Sequence, residues 1–215
     1  MKNVYIYCEG QTEESFVNEI LMPYFLNMDI YVRPIICTTS RHKNKKFKGG
    51  VFNYEKIKNE LILLCKQHHN EHITTMFDYY AMPSNTPNID DSTPDIFQRI
   101  SNIEKAIDED VNMPNCSFNL MLHEFEGILF SNPKSFSLIT DEDNVRKVTE
   151  IRESAESPEH INNSPETAPS KRLEAIIANY AKVKNGTILA KDMGIDVIMR
   201  ECKHFAEWIE KIKNL

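Results

Sequence analysis

The sequence predicts an α/β fold in which a mostly parallel sheet carries helices on both faces. Short, apolar, β-prone runs alternate along the chain with longer segments whose apolar residues recur at helical spacing. This alternation is typical of parallel sheets, whose crossover connections are right-handed. The 215 residues are enough for one sizeable α/β domain, or for one domain with an appendage.

The first part of the chain contains three predicted strands and two predicted helices. Each strand is an apolar or β-branched run, and each helix has an apolar stripe, with Phe16 and Ile20 in the first and Ile57 and Leu61 in the second. The predicted boundaries are 3–8, 30–37 and 73–78 for the strands, and 12–27 and 54–69 for the helices.

The rest of the chain predicts one more strand, at 117–122, and several helices. Pro94 suits the first turn of a helix that runs to residue 110, with Thr93 as its N-cap. We expect further helical segments at 125–130, 144–156, 170–180 and 187–215, the last with a break near Gly194 and with Trp208 as its main anchor.

The chain divides by composition into three segments. Residues 1–132 form the predicted α/β core, 133–169 a polar insertion or lid, and 170–215 a C-terminal helical extension packed on the core. Long loops of this kind inside a domain are binding elements, lids or disordered segments. We expect the three segments to form one compact unit.

Composition narrows the class of protein. The formal net charge of −7 argues against a protein that coats nucleic acid by bulk electrostatics. No apolar run is long enough to cross a bilayer, and the N-terminus lacks the pattern of a signal peptide, so we expect a cytoplasmic protein without a membrane partner. The five scattered cysteines include no CxxC pair, which makes a zinc ribbon unfavourable and fits a reducing compartment.

Three predicted strands end in a carboxylate, at Glu9, Asp78 and Glu124. The carboxyl ends of parallel strands are where open α/β sheets bind ligands. A solvated turn residue is the alternative for Glu9, whereas an unpaired charge at the end of the apolar third strand would be costly to bury. Carboxylates that meet at one sheet edge predict a site for Mg²⁺ or Mn²⁺, which would let the acidic edge attract a phosphodiester.

Residues beside these carboxylates are further candidates with competing interpretations. Glu13 either joins the site or stabilises the first turn of its helix through the helix dipole. Glu126 is a weaker ligand candidate than Glu124, because the two diverge if the segment is helical. His123 is either a core histidine or a group that orients a carboxylate or protonates a leaving group. The two tyrosines after Asp78, Tyr79 and Tyr80, either stack on a base or pack internally.

Basic residues are concentrated in a loop closed by two glycines. This loop is either a solvated segment or a clamp for a phosphate backbone, and it contains Arg41, Lys43, Lys45, Lys46 and Lys48. Further candidates to neutralise a phosphate are Lys171, Arg172, Lys182 and Lys184. The sequence has no GxxxxGK[ST] loop, no GxSxG elbow and no HExxH helix, which argues against a P-loop nucleotide triphosphatase and the other enzyme classes with those motifs.

These motifs together resemble a bacterial family of unknown function in the Toprim-like superfamily. The segment Glu9-Gly10-Gln11-Thr12-Glu13 is similar to the EGxTE motif of Toprim domains in overcoming-lysogeny-defect nucleases. The match continues, over nearly the whole chain, through Met76-Phe77-Asp78-Tyr79-Tyr80, His123-Glu124-Phe125-Glu126-Gly127, Ala168-Pro169-Ser170-Lys171-Arg172 and Cys202-Lys203-His204-Phe205-Ala206-Glu207-Trp208.

The resemblance implies a Toprim-like, four-stranded, mostly parallel sheet and Mg²⁺-dependent phosphodiester chemistry. It implies the strand-one glutamate role for Glu9 and a metal-ligand role for Asp78. Toprim domains typically carry Asp-x-Asp, whereas this chain has Tyr80 at the second acidic position, so another ligand must come from Glu124, Glu126 or Glu13. A separate ABC-type ATPase is the implied partner, in a phage-defence or mobile-element system.

The leading hypothesis is a metal-dependent nuclease acting on DNA or RNA. Its predicted catalytic and metal-binding residues are Glu9, Asp78 and Glu124, supported by Glu13, His123 and Glu126. Two alternatives stay open. One is a non-catalytic binding or regulatory subunit of an ATPase complex, which Tyr80 and the negative net charge favour. The other is a phosphatase for a small phosphoester, which would need a narrow, closed pocket.

Overall fold

A parallel sheet forms the centre of the protein. The structure is a computed structural model that describes residues 2–37, 53–162 and 167–215. Three long strands, β1 (Lys2–Cys8), β2 (Ile30–Ile36) and β3 (His72–Asp78), lie in the order β2-β1-β3, and all their pairings are parallel. Because β1 lies between the other two, its C-terminal end is at the middle of the sheet edge.

The edge strand beside β3 is interrupted. It consists of β4 (Cys116–Ser117) and β5 (Leu120–Met121), both parallel to β3, where one strand over 117–122 was predicted. Between them the Thr75 hydroxyl lies 2.8 Å from both the amide nitrogen and the carbonyl oxygen of Asn119. A side chain thus takes the place of the ladder hydrogen bonds at this position.

A long helical run follows β1 and covers one face of the sheet. It consists of α1 (Gln11–Phe16), a π-helical turn (Val17–Leu21) and α2 (Met22–Leu26). Pro23 in the first turn of α2 has no N–H to donate, which fits a widened turn before it. The run packs with Val4, Ile6 and Cys8, the β1 side chains that point to this face.

Two helices cover the opposite face. They are α3 (Tyr54–Gln67) and α4 (Ile96–Val111), and they form a second core with Tyr7, Ile73 and Phe77. The predicted N-cap Thr93 is wrong: Asp95 caps α4 by accepting a hydrogen bond of 2.8 Å from the Gln98 amide. An aspartate carboxylate that reaches the third helical amide is a stronger cap than a threonine hydroxyl two residues earlier.

The remainder of the chain is helical and packs mostly on the first face. Its described residues contain 3₁₀ turns and five helices: Phe125–Ser131, Pro133–Leu138, α5 (Glu142–Glu153), Pro158–His160, α6 (Pro169–Ile176), α7 (Lys182–Met193), α8 (Ile195–Glu201) and α9 (Lys203–Lys213). The predicted break at Gly194 is present, with a φ of 74° that favours glycine. Trp208 is buried, and its indole N–H donates to the Thr74 hydroxyl in the sheet at 3.0 Å.

The predicted fold class is confirmed. The parallel sheet has helices on both faces, and a helical C-terminal part packs on it. Phe136 and Val148 of the predicted insertion and Trp208 of the predicted extension share the first core with β1. The division into three segments itself stays a prediction. Within the described ranges no helix is long and apolar enough to span a membrane.

Candidate functional site

The C-terminal ends of β1 and β3 bring Glu9 and Asp78 together. Cys8 pairs with Met76 in the parallel register, so the residues just beyond them are neighbours. The Glu9 amide donates to the Met76 carbonyl at 3.1 Å, and the Asp78 amide donates to Oε2 of Glu9 at 3.2 Å. The first two predicted ligands are therefore held against each other by backbone hydrogen bonds.

Glu124 follows β5, the next strand along this edge. Its Oε2 accepts a hydrogen bond of 2.9 Å from the Ser170 amide in the first turn of α6. Asp78 is tied to the same loop, because its Oδ1 accepts a hydrogen bond of 2.7 Å from the Phe125 amide. One oxygen of each predicted ligand is thus fixed by a backbone N–H.

Glu13 and Glu126 are both buried and complete a group of five acids. Oε2 of Glu13 accepts a hydrogen bond of 2.8 Å from the Gly10 amide, so Glu13 caps its own helix while its charge acts on Glu9 and Asp78. The hydrogen bond places Glu13 in a capping role at the start of α1, and its part in the site stays a prediction. We call Glu9, Glu13, Asp78, Glu124 and Glu126 the acidic edge.

Lys182 is a cation beside the acidic edge. Its Nζ lies 3.4 Å from Oε1 of Glu126, at the first position of α7. Burial opposes its positive charge, but Glu126 and Glu124 raise the pKa of Lys182 above its ordinary value. The residue was predicted as a phosphate ligand, and it lies where it could meet one.

Electrostatic strain is the main property of the acidic edge. Burial and the charge of Glu13 raise the pKa of Glu9 from 4.5 to about 7. Asp78 has an enclosed carboxyl group, and burial together with Glu9 and Glu13 raises its pKa well above the ordinary value. Burial likewise raises the pKa values of Glu13 and Glu126. A cation at this edge would favour the charged forms and lower these pKa values.

The acidic edge is not a preformed metal centre. Among the described residues, no three His, Cys, Asp or Glu side chains are grouped so that they could hold a metal ion as they stand. The donor chemistry nevertheless fits a hard cation, since all the candidate ligands are carboxylate oxygens and Mg²⁺ often uses one or two of them with water and substrate phosphate. The predicted metal-ligand roles of Glu9, Asp78 and Glu124 stay predictions.

His123 occupies a strained turn immediately before Glu124. Its φ is 64°, and the Glu124 amide donates across it to the Leu122 carbonyl at 2.9 Å, which makes a γ-turn with a positive φ at its centre. Such a conformation costs about 1–3 kcal/mol and tends to occur at functional sites. Burial, with His160 and Arg99, lowers the pKa of His123 to about 4, so the ring is neutral at pH 7 and poorly suited to protonate a leaving group.

The basic residues that were predicted to bind phosphate lie in different surroundings. Lys171 pairs with Glu174 at 2.7 Å, and Arg172 donates to the Thr167 carbonyl at 2.7 Å, both around α6. Lys184 is exposed on α7. The loop residues Arg41, Lys43, Lys45, Lys46 and Lys48 lie outside the described residues.

Sequence reasoning missed a tyrosine and a second set of buried acids. The Tyr180 hydroxyl is buried without a hydrogen-bond partner in the described part of the chain, and its pKa is raised by burial and by Glu126. The second set consists of Glu104, which lies 3.0 Å from the His204 imidazole, and Glu159, which accepts from the first amides of α9. No local pattern distinguishes these residues from solvated ones.

Comparison with known proteins gives one family and one solved structure. The sequence model of a family described as a domain of unknown function, DUF4276, matches residues 8–213. No curated protein matches the chain. The chain is similar to the solved C-terminal region of the OLD protein of Xanthomonas campestris pv. campestris, with 14% identity, a TM-score of 0.46, and coverage of 98% of this chain and 94% of that one. These values are too low to transfer residue roles between the two.

Proposed function

The chain belongs to DUF4276, a family of domains of unknown function, and we propose that it is a metal-dependent phosphodiesterase acting on nucleic acid. The observation that carries this proposal is the crowding of buried carboxylates at one sheet edge. Burial and mutual repulsion raise the pKa values of Glu9, Asp78 and Glu126, and the nearby amide hydrogen bonds and Lys182 offset only part of this rise. Perturbed carboxylates at strand ends are a recognised mark of functional sites.

The ligands of the proposed cation, Mg²⁺ or Mn²⁺, are Glu9, Asp78 and Glu124. When bound, the metal would polarise a phosphoryl oxygen and make hydroxide available near neutral pH. Backbone amides hold one oxygen of each ligand and so fix the orientation of the carboxylates. Glu13 and Glu126 support the site through their charge.

Cationic side chains would bind the substrate phosphates. Lys182 is the best placed, because its ammonium group already lies against Glu126 and can turn to a developing negative charge. Lys171, Arg172 and the predicted basic residues of 41–48 would contact the phosphate backbone. The biological setting that we propose is phage defence or a mobile element, with a separate ABC-type ATPase as partner, and it rests on the Toprim-like resemblance alone.

Hydrolysis assays with matched variants test the proposal. Single-stranded and double-stranded DNA and RNA are incubated with the protein and Mg²⁺ or Mn²⁺, with and without a purified ABC-type ATPase. We expect cleavage by the wild type and by Glu14→Gln, a neighbouring acid outside the acidic edge, and loss of at least 100-fold in Glu9→Gln and Asp78→Asn, as expected when metal ligands are removed. Cleavage that survives in both of these variants would contradict the proposal.

A non-catalytic binding subunit is the second candidate. Tyr80 in place of an acid favours it, as does the lack of a ready-made group of three ligands within the described ranges. Isothermal titration calorimetry separates the two candidates. Heat of Mg²⁺ or Mn²⁺ binding that disappears in Asp78→Asn favours the enzyme, whereas a folded wild type that binds neither ion favours the subunit.

A further inference from the structure

An aromatic cluster lies next to the acidic edge. Tyr79 and Tyr80 form a 3₁₀ turn directly after Asp78, and their ring centroids are 5.7 Å apart with an interplanar angle of 30°. The Tyr80 ring also lies 5.3 Å from the imidazole of His123, the residue before Glu124. The cluster therefore spans the ends of two strands that carry predicted metal ligands.

The cluster is buried at one end and open at the other. His123 is 7% exposed, whereas Tyr80, which has two aromatic neighbours, is 37% exposed. Packing alone would be served better by burying the ring. The exposed part of Tyr80 is thus available to a further planar group.

The imidazole of His123 packs against the buried side of the Tyr80 ring. The backbone of His123 has a positive φ, which is a strained conformation. Its positive φ places the imidazole in the cluster, and its carbonyl accepts a hydrogen bond of 3.2 Å from the Tyr80 amide. Nδ1 of His123 is buried without a hydrogen-bond partner among the residues that the structure describes. An unsatisfied buried atom is costly, which fits a cluster that serves a purpose other than packing.

The cation Arg99 has an electrostatic effect on the cluster, and hydrogen bonds hold its side chain in place. Arg99 donates from Nε and Nη2 to the Thr93 carbonyl, at 2.9 Å and 2.6 Å, which holds the guanidinium in place. Burial is the main cause of the pKa shifts of Tyr80 and His123, and the positive charge of Arg99 adds a smaller, lowering effect at each. Proteins bind single-stranded nucleic acid through aromatic rings on which bases stack and through cations that neutralise the backbone.

We propose that Tyr80, supported by His123 and Tyr79, is a stacking platform for a base next to the phosphate held at the acidic edge. This inference rests on the proposed function and adds a substrate class to it, single-stranded DNA or RNA. Bases in a duplex are already stacked on their neighbours, so a platform of this kind selects strands whose bases are free. Tyr80, which replaces the second acid of the Toprim pattern, would then determine the preference for single strands.

Fluorescence of 2-aminopurine tests the platform without relying on cleavage. Single-stranded DNA and RNA oligonucleotides that carry this base are titrated with the protein in Ca²⁺, and a gel confirms that they stay intact. We expect quenching with the wild type. The affinity should fall about 5- to 150-fold in Tyr80→Ala, the range for one lost base–aromatic stack, while Tyr80→Phe keeps it.

Two controls make the result specific. Tyr31→Ala removes another partly exposed tyrosine with a cation near its ring, Arg33 at 4.4 Å, and should leave the affinity unchanged. An oligonucleotide with an abasic site in place of 2-aminopurine, measured by competition against the fluorescent one, should bind the wild type and Tyr80→Ala about equally. Wild-type affinity in Tyr80→Ala, or an equal loss in Tyr80→Phe, would overturn the platform.

The outcomes for the platform and for hydrolysis are separable. Cleavage by the wild type combined with unchanged base binding in Tyr80→Ala overturns the platform and leaves the phosphodiesterase proposal standing. Quenching that depends on Tyr80, without cleavage under any condition, supports the platform and contradicts hydrolysis. A folded wild type that neither quenches nor cleaves contradicts both.

Discussion

The protein buries two sets of acids, and they differ in how their charges are satisfied. In the acidic edge, Glu9, Glu13, Asp78 and Glu126 act on one another as like charges, and burial adds to the effect. The second set, which we call the structural acid pair, consists of Glu104 and Glu159 around α9. These two carboxylates each have strong, specific partners.

Glu104 joins α4 to the sheet and to the C-terminal helix. Its Oε1 accepts hydrogen bonds from the Leu120 amide at 2.8 Å and from Nε2 of His204 at 3.0 Å. Burial disfavours the charged imidazole, yet the Glu104 hydrogen bond raises the pKa of His204 above its ordinary value. The hydrogen bond between Glu104 and His204 therefore favours an ion pair in the protein interior.

Glu159 caps α9 from a distant part of the chain. Its two oxygens accept hydrogen bonds from the His204 and Phe205 amides, at 3.1 Å and 3.0 Å. These amides belong to the first turn of the helix, where a carboxylate also interacts favourably with the helix dipole. Burial raises the pKa of Glu159, but the amide bonds oppose that shift.

The two sets differ in their effect on stability: the structural acid pair stabilises the fold, whereas the acidic edge destabilises it. A buried carboxylate with an ion-pair partner or two amide donors is a structural element. Several carboxylates in mutual repulsion lower the free energy of unfolding, and such an arrangement suggests a function that offsets the cost. Neutralising substitutions should therefore have opposite effects on stability in the two sets.

The largest expected effect is the loss of Glu104. In Glu104→Ala, the free energy of unfolding should fall by about 3–5 kcal/mol, because a buried ion pair is broken and the Leu120 amide loses its acceptor. Urea denaturation at pH 6 measures the change. Glu207→Ala, which removes an exposed acid 3.9 Å from Lys203 on the same helix, is the control and should change stability by less than about 0.5 kcal/mol.

Loss of the α9 cap should have the next largest effect. Glu159→Ala leaves two buried amides without acceptors and should lower the free energy of unfolding by about 2–3 kcal/mol. The control is Glu156→Ala, an acid that is 86% exposed and three residues away. Equal stability of the two variants in urea denaturation would show that the cap contributes nothing.

The fold was largely predictable because it rests on local patterns. Apolar runs ending at Cys8 and Asp78 determined two strands, and helical spacing around Ile57 and Ile103 determined two helices. The interrupted edge strand was not predictable. The interruption depends on the side chains of Thr75, Glu104 and Asp108, which lie outside the strand. They accept hydrogen bonds from the amides of residues 118–120.

The sequence predicts where the candidate site lies, but it does not predict which of the acids are buried. Strand ends carrying Glu9 and Asp78 necessarily meet at one edge of a parallel sheet, so their proximity follows from the pattern. The burial of Glu126 does not, because it depends on the 3₁₀ turn Phe125–Ser131 and on the approach of α7. Nor does any local pattern show that Glu104 is buried opposite His204, since that contact joins residues 100 positions apart.

Neutralising the acidic edge should stabilise the protein. In metal-free buffer at pH 8, Glu9→Gln should raise the free energy of unfolding by about 2 kcal/mol, because it removes a buried, repelled charge while the amide oxygen can still accept from the Asp78 amide. The matched surface variant Glu14→Gln should show no such gain. A loss of stability in Glu9→Gln at pH 8 would contradict the comparison.

The pH dependence of this gain has a definite sign. The pKa of Glu9 is about 7 in the folded state and near 4.5 in the unfolded state, so the folded state binds the extra proton between these values. Stability from this group is therefore fully present below pH 4.5 and falls as the pH rises to about 7. The difference between Glu9→Gln and wild type should grow across that window when unfolding is measured at several pH values.

The smallest expected effect is stabilisation of the wild type by a divalent cation. A cation that binds the folded acidic edge at ten times its Kd should raise the free energy of unfolding by about 1.4 kcal/mol. It should do so at pH 8, where the carboxylates are charged, more than at pH 5. Melting temperatures with Mg²⁺, Mn²⁺ and EDTA at matched ionic strength measure the shift.

The two sets of acids should respond to that cation differently. Glu9→Gln and Asp78→Asn remove predicted ligands and should abolish the shift, whereas Glu159→Ala should keep it, even though its starting stability is lower. This pattern cannot arise from general salt screening, which would act on all variants alike. An equal shift in every variant would place cation binding away from the acidic edge, and the repulsion there would need another explanation.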